Sequence, residues 1–413
     1  MSSNDQVKYA IVIIDGAADY PIERMGGRTP LMVARLPEMD RLAAEGRCGT
    51  LATVPAGMSP DSAVANLSVL GYDPRRTYQG RGVLEAASLG VALGPRDVAI
   101  RCNLVALEDG RMLDHSSGHI STAEAHELIA TLGAELAGEG VEFHPGVSYR
   151  HLLVLRGGRF RPELECWPPH DHVGKPAREM PIRAGVPEAE ATAELCNRLT
   201  DASRTVLARH PVNRARREKG KREAASIWLW APGCKPSMAT LQERFAVRGA
   251  VISAVDLIHG LGRYAGMTSV PVEGATGLFD TNYEGKARGA LGALGDHDLV
   301  LVHVEGPDEA GHARDLGLKI HCLESIDRRL LAPLVSGMEE RGYEAVVAVL
   351  PDHLTPVEQG CHVGEPVPVL IRDPARPPDA AARFDEEAAR AGALGAMVGE
   401  DFIRALLWRR RGG

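Results

Sequence analysis

Residues 9–16 read YAIVIIDG, an apolar run unbroken from Tyr9 to Ile14 that stops at Asp15 and Gly16. A strand that is apolar at every position is buried on both faces, as in a parallel sheet covered by helices, and the carboxyl end of such a strand is where these sheets carry functional groups. The pattern returns in the last third of the chain. Residues 298–312, DLVLVHVEGPDEAGH, read as a strand and then a loop; residues 343–353, YEAVVAVLPDH, read as a strand ending on Asp352 and His353; residues 367–371, VPVLI, read as another strand. Between them, residues 284–294 and 318–342 carry helical patterns, which completes a βα alternation.

Near the amino end, residues 36–45, LPEMDRLAAE, predict a helix stopped by Gly46. Residues 62–71, SAVANLSVLG, predict another with Ser62 at its N-terminus and Gly71 at its end. Asn66 to Ser68 matches a glycosylation pattern, but no secretory leader accompanies it, so it is read as ordinary helix sequence. The middle third is also α/β material: a capping box at Ser121–Glu124, a strand in VSYRHLLVLRG (147–157), a helix over 187–209, a strand in SIWLWAPG (226–233), then strand and helix in 249–266. The expected architecture is one parallel-sheet domain built from residues 1–80 and 272–413, with a smaller α/β domain, residues 81–271, inserted into it.

Composition excludes several classes. With 47 Lys plus Arg against 55 Asp plus Glu, the net charge of −8 disfavours bulk attraction to nucleic acid or acidic lipid. Seven scattered cysteines without a CxxC pair suggest neither a disulfide framework nor a zinc knuckle. No apolar stretch approaches the roughly 18 residues of a membrane span, and no leader opens the chain, so a cytoplasmic protein is expected, with no membrane or nucleic-acid partner.

The chemistry lies at the two ends. Asp15, Ser62, Asp308, His312, Asp352, His353 and His362 are oxygen and imidazole donors, several at strand ends or helix starts. Asp308 and His312, four apart, share a helical face or one tight turn. Carboxylate with imidazole and no cysteine suits Mn²⁺, Mg²⁺, Co²⁺ or Zn²⁺ rather than a structural zinc site. Two ions about 4 Å apart can clamp attacking and leaving oxygens, and a serine among their ligands becomes a usable nucleophile. Ser62 at a helix N-terminus also faces backbone N–H donors suited to a phosphate. The insert offers His119, Arg150, His151, Asp171, Arg214, Arg216 and Arg217, with Lys286 shortly after it. Arginines suit a carboxylate or phosphate, and Asp171 could move a proton between two hydroxyls.

The motifs IIDGAAD (13–19), VANLSVLGYDP (64–74), GRGVLEAASLG (80–90), PPHDHVGKP (168–176), HPVNRAR (210–216), HVEGPDEAGH (303–312) and LPDHLTP (350–356) run in order along nearly the whole chain. In these the chain resembles the archaeal type of cofactor-independent (2,3-bisphosphoglycerate-independent) phosphoglycerate mutase, within the alkaline phosphatase superfamily. The resemblance implies that Asp15, Ser62, Asp352 and His353 hold one divalent ion and Asp308, His312 and His362 a second. Ser62 would be the phosphorylated nucleophile and Asp171 the acid/base of the inserted phosphotransferase domain. His119, Arg150, Arg216 and Lys286 would bind the substrate, a small phosphorylated hydroxy acid.

The chain departs from that family beside the nucleophile. Asp61 stands where glycine is usual and Ala63 where aspartate is usual; Ala225 and Ala231 flank the IWLW strand; Gly360-Cys361-His362-Val363 is less polar than its counterpart. Lost polar groups redirect recognition of oxygen-rich substrates. Two activities are therefore expected: interconversion of 2- and 3-phosphoglycerate, or the same chemistry on another phosphorylated or phosphonylated hydroxy acid or on homoserine.

Overall fold

The computed structural model describes residues 7–411. The chain divides into two compact units, one of residues 1–78 with 238–413, the other of residues 79–237.

The larger unit is built on an eight-stranded sheet in the order Thr268–Ser269, Gly249–Ile252, Leu299–Val304, Val7–Ile14, Glu344–Leu350, Val367–Arg372, Arg47–Ala52, Gly395–Val398. Val7–Ile14 is buried at all eight positions, as its apolar run predicts, and lies parallel to a neighbour on each side. Val367–Arg372 alone runs antiparallel to both its neighbours. Ile14 pairs with Val304 and Ile13 with Leu350, so three central strands end level and release their loops at one edge. Asp15 and Asp352 follow two of those ends, and the third leads to the short helix Gly306–His312 that carries Asp308. Val12, Ile14, Val300, Val302 and Val347 pack against Tyr283, Leu323, Leu330 and Leu334 of the covering helices. Each such side chain contributes roughly 1.5–3 kcal/mol by burial, so the strand ends that bear the site sit on a stiff base. The helical pattern over 318–342 forms Leu316–Ile326 and Ala332–Glu340, joined by a π turn at Asp327–Leu331. Pro333, which lacks an N–H, explains the interruption.

The expected boundary of the insert at residue 271 is corrected to 237. Gly249–Ile252 pairs in parallel with Leu299–Val304, and residues 238–271 belong to the larger unit. A short run such as GAVI is apolar on both faces in either setting, and only its pairing assigns it.

The smaller unit carries a five-stranded antiparallel sheet centred on Val98–Glu108, which pairs with Arg111–Asp114, Arg150–Leu155 and Ser226–Cys234. The helices Thr122–Leu136 and Glu190–Ala208 bury Leu128, Ile129, Cys196 and Leu199 against Ile100, Cys102, Leu104, Leu153 and Leu229. The capping box forms, with Ser121 accepting from the Glu124 N–H and the Glu124 carboxylate returning to Ser121. Among the described residues no helix is long and apolar enough to cross a membrane.

Candidate metal centre and the polar face of the insert

All seven donor residues lie in the larger unit, and the fold brings them together. Ser62 opens the helix Ser62–Val69, with its Oγ 3.2 Å from His353 Nε2. His353 Nε2 is 3.4 Å from Asp15 Oδ1 and 3.7 Å from Asp352 Oδ2. On the other side, Asp308 lies 3.2 Å from His312 Nε2 and 3.4 Å from His362 Nε2. Donor atoms of Asp15, Asp352 and His353 fall within 4.8 Å of one another, and so do those of Asp308, His353 and His362. His353 therefore stands between the two groups, its ring stacked on His362 with centroids 3.9 Å apart. Two ligands each about 2.1 Å from one ion stand roughly 3–3.5 Å apart, which matches these edges.

The outer nitrogens of the imidazoles decide how the inner ones behave. His312 Nδ1 is 3.1 Å from the Gly360 carbonyl oxygen, and His362 Nδ1 is 3.3 Å from that of Pro60. A carbonyl only accepts, so each Nδ1 carries the proton and each neutral Nε2 presents a lone pair. His353 Nδ1 is 3.3 Å from Thr355 Oγ1, whose own hydrogen goes to Asp308 Oδ1, so the same tautomer follows there. The bare His312 and His362 Nε2 atoms converge to 2.9 Å. Lone pairs aimed at each other in this way suit a shared cation. The buried Asp15 Oδ1 likewise has no hydrogen-bond partner.

Charge follows this geometry. Burial, reinforced by the carboxylates of Asp352 and Asp308, pushes the Asp15 pKa well above the ordinary range. Burial also opposes ionisation of Asp308, but when no cation is bound, protons on the facing nitrogens of His312 and His362 outweigh it and hold this carboxyl well below its usual range. The same contact raises His312 to about 9, so a cation at its Nε2 displaces a proton. Burial lifts Glu305 to about 7, helped by Glu309 and Asp308, and lowers Lys286 to about 8. Carboxylates gathered at such cost are stabilised by a divalent cation.

Further residues brace the donors from behind. Asn66 Nδ2 donates to Asp352 Oδ2 at 3.0 Å and to the Ser62 carbonyl at 2.8 Å, so the residue of the apparent glycosylation pattern is a buried brace. The Gly16 N–H reaches Asp352 Oδ1 at 3.3 Å. Gly16 has φ +62°, and a Cβ there would lie 2.6 Å from Asp308 Oδ1 and 2.7 Å from Thr355 Oγ1, so only glycine lets these groups approach. His303, fully buried, lies 3.1 Å from Asp15 Oδ2. Lys286 is buried and donates to the His303 carbonyl at 2.9 Å. Asp61 caps the helix that Ser62 opens by accepting the Ala63 N–H at 2.8 Å.

In the insert, the strand register sorts the expected residues by face. Asn103 pairs with Arg150 and Arg101 with Trp230, which puts these side chains on the face opposite the helices. Arg101 stacks 4.4 Å over Trp230 and meets Glu85 at 2.6 Å; His115 and His170 lie edge-on 6.2 Å apart on the same side. Arg101 was overlooked in the sequence, although Arg101 and Asn103 are conspicuous polar residues inside an apolar strand. Asp171 is exposed, 3.7 Å from His170 Nε2, and His119 is exposed in a left-handed turn with φ 50°.

Two expectations are corrected here. Arg216 is 2% exposed, and its guanidinium is spent on Glu124 Oε2 at 2.7 Å and on the carbonyls of Ser117 and Arg222, so it clasps the insert together rather than presenting a free fork to substrate. His151 faces the helix-covered core, fully buried, accepting the Gly146 N–H at 3.0 Å, with burial lowering its pKa to about 3.

Comparison with known proteins agrees with this organisation. A family model described as 2,3-bisphosphoglycerate-independent phosphoglycerate mutase matches residues 43–213. The chain is 48% identical over 402 residues to the protein of that name from Methanosarcina acetivorans, covering 97% of this chain and 100% of the relative. It is 48% identical over 389 residues to 2,3-bisphosphoglycerate-independent phosphoglycerate mutase 2 of Methanothermobacter thermautotrophicus, covering 94% of each. Among solved structures, the PH0037 protein from Pyrococcus horikoshii superposes with TM-score 0.82 at 30% identity over 98% of both chains. The cofactor-independent phosphoglycerate mutase from Thermoplasma acidophilum does so with TM-score 0.69 at 27% identity, over 98% of this chain and 100% of that one.

Proposed function

Because the chain belongs to the 2,3-bisphosphoglycerate-independent phosphoglycerate mutase family, we propose that it interconverts 2- and 3-phosphoglycerate by way of a phosphoserine at Ser62, with two divalent ions held by the seven donors. The observation that carries this reading is the convergence of three lone-pair imidazole nitrogens and three carboxylates around one serine hydroxyl. Asp15, Ser62, Asp352 and His353 form one ligand group and Asp308, His312 and His362 the other, with His353 adjoining both; the donor set suits Mn²⁺ and accommodates Mg²⁺, Co²⁺ or Zn²⁺. Ions bound there lower the pKa of the serine hydroxyl and offset charge on the transferring phosphoryl group.

In the first half-reaction Ser62 Oγ gives up its proton and forms a bond to phosphorus while the bond to the substrate oxygen breaks, and that oxygen takes up a proton. In the second, the other glycerate hydroxyl loses its proton and attacks the phosphoserine, and the bond from phosphorus to Ser62 Oγ breaks as Oγ regains a proton. Asp171, exposed and 3.7 Å from His170 Nε2, is suited to move that proton. Arg150 and Arg101, on the polar face of the insert, and the exposed His119 are the candidates for holding the glycerate, because guanidinium forks complement a carboxylate. The buried Lys286 amine, fixed on the His303 carbonyl, sets positive charge below the metal centre.

The Asp61 cap favours a second reading of the substrate. Its carboxylate takes the Ala63 N–H, a donor at the same helix end that a phosphoryl oxygen on Ser62 would seek, so the environment of the phosphoserine differs from the family pattern and another phosphorylated or phosphonylated hydroxy acid, or homoserine, remains the competing substrate class. Metal-loaded protein incubated with 3-phosphoglycerate and followed by phosphorus NMR separates the two. Formation of 2-phosphoglycerate without bisphosphoglycerate is expected, lost in Ser62→Ala while metal is retained; phosphoserine formed only from other donors would reassign the substrate.

A further inference from the structure

His303 differs from the other imidazoles of the centre in the direction of its proton. His312, His353 and His362 each direct Nδ1–H outward to an oxygen and turn a bare Nε2 inward. His303 instead turns Nε2 toward a carboxylate oxygen, Asp15 Oδ2, at 3.1 Å. Its Nδ1 meets Ser253 Oγ at 3.4 Å. Ser253 Oγ accepts the Val255 N–H at 3.0 Å, which leaves the hydroxyl hydrogen available for Nδ1. A carboxylate only accepts, so the arrangement that satisfies the whole chain places the His303 proton on Nε2.

We propose that His303 is the positioning residue for the metal ligand Asp15, and that its Nε2–H, oriented by Ser253, engages Oδ2 and leaves Oδ1 to face the ion. This rests on the two-ion reading above. His303 and Asp15 are both almost wholly buried, and Asp15 Oδ1 is the oxygen without a hydrogen-bond partner. At 3.1 Å the contact to Oδ2 falls short of hydrogen-bond alignment, and His303 Nε2 has no hydrogen-bond partner elsewhere. A carboxylate free to rotate would divide its time between two oxygens, whereas one pinned at Oδ2 presents a single donor to the centre. Partners of metal ligands act in this way, and their loss typically lowers metal affinity about 10–100-fold. Asp352 is held by the same logic, with Asn66 on one oxygen and the Gly16 N–H on the other.

The test is a Mn²⁺ titration of the full chain read by electron paramagnetic resonance, which needs no substrate. The unaltered protein should bind two ions. In His303→Phe one of the two should weaken by about 10–100-fold and the other hold its affinity. His303→Gln, which returns an N–H to the same reach, should recover most of the loss, and Ser253→Ala should shift the same ion by a smaller factor. In an Asp308→Asn background, the effect of His303→Phe should persist on the remaining ion. Two unchanged affinities in His303→Phe, or a loss equal in the Gln and Phe variants, would overturn the role of His303 while leaving the two-ion reading intact. Failure of the unaltered protein to take up two ions would instead overturn the two-ion reading itself. Should the Phe variant not fold, Ser253→Ala carries the test, and an unchanged affinity there overturns the proposal.

Discussion

His312 Nε2 and His362 Nε2 lie 2.9 Å apart, each ring fixed from behind by a backbone carbonyl, and both face Asp308. Residues 50 positions apart in the chain thus converge on one carboxylate. The consequence for Asp308→Asn is direct. An amide offers one weak oxygen in place of a carboxylate, so metal content should fall by about one ion per chain, with an affinity loss larger than the roughly 10–100-fold that removal of an outer partner produces. Metal analysis after dialysis against a weak chelator checks this, and two retained ions would show that Asp308 is not a ligand.

Gly16→Ala should damage both stability and the centre. The residue has φ +62°, and the added Cβ would meet Asp308 and Thr355 atoms within 2.7 Å. Backbone strain and overpacking of this kind cost on the order of 1–3 kcal/mol each, so chemical denaturation should show a loss of at least about 2 kcal/mol and metal should bind more weakly. A variant with unaltered stability and metal binding would mean that this turn relaxes freely.

Arg216→Met should destabilise the insert and spare the metal centre. Removing the guanidinium strands Glu124 and two carbonyls around a site that is 2% exposed, an effect on the order of 3 kcal/mol or more. Unfolding of the insert, followed by tryptophan fluorescence from Trp228 and Trp230, should shift to lower denaturant, with two divalent ions still bound. A normal unfolding curve with a greatly raised KM would restore Arg216 to the substrate site.

His151 should make the insert acid-sensitive. Its pKa is lowered by burial to about 3, below that of an unfolded histidine at roughly 6.5, so the unfolded chain binds more protons between these values. Stability contributed by the neutral ring is full above about pH 6.5 and declines as the pH falls toward 3. At pH 5 the loss amounts to about 2 kcal/mol. His151→Gln keeps an acceptor for the Gly146 N–H without the titration, so the difference in unfolding free energy between pH 7 and pH 5 should shrink by about that amount. An identical pH dependence in the two proteins would refute the assignment.

Much of this site could be read along the chain because its parts announce themselves locally. Asp15 closes an apolar run, Ser62 begins a helical pattern, and Asp308 and His312 keep helical spacing in Gly306–His312. Arg216 misled because an arginine in a basic run reads as a free fork for a carboxylate or phosphate, whereas its actual partner Glu124 is 92 positions away. Asn66, Thr355 and His303 were invisible for a related reason: a brace is defined by what it touches, and these residues touch groups at distances of 47 to 288 positions along the chain.

The sequence by itself determined the βα alternation, the strand ends that carry Asp15 and Asp352, and the donor chemistry of the seven residues, since hydrophobic periodicity and side-chain type are local properties. Only the tertiary structure decided that Gly249–Ile252 joins the large sheet, that Arg216 and His151 serve the interior, and which nitrogen of each histidine is bare. Strand pairing and burial arise between distant segments, and a tautomer is set by the atom opposite the ring, so none of these exists until the chain has folded.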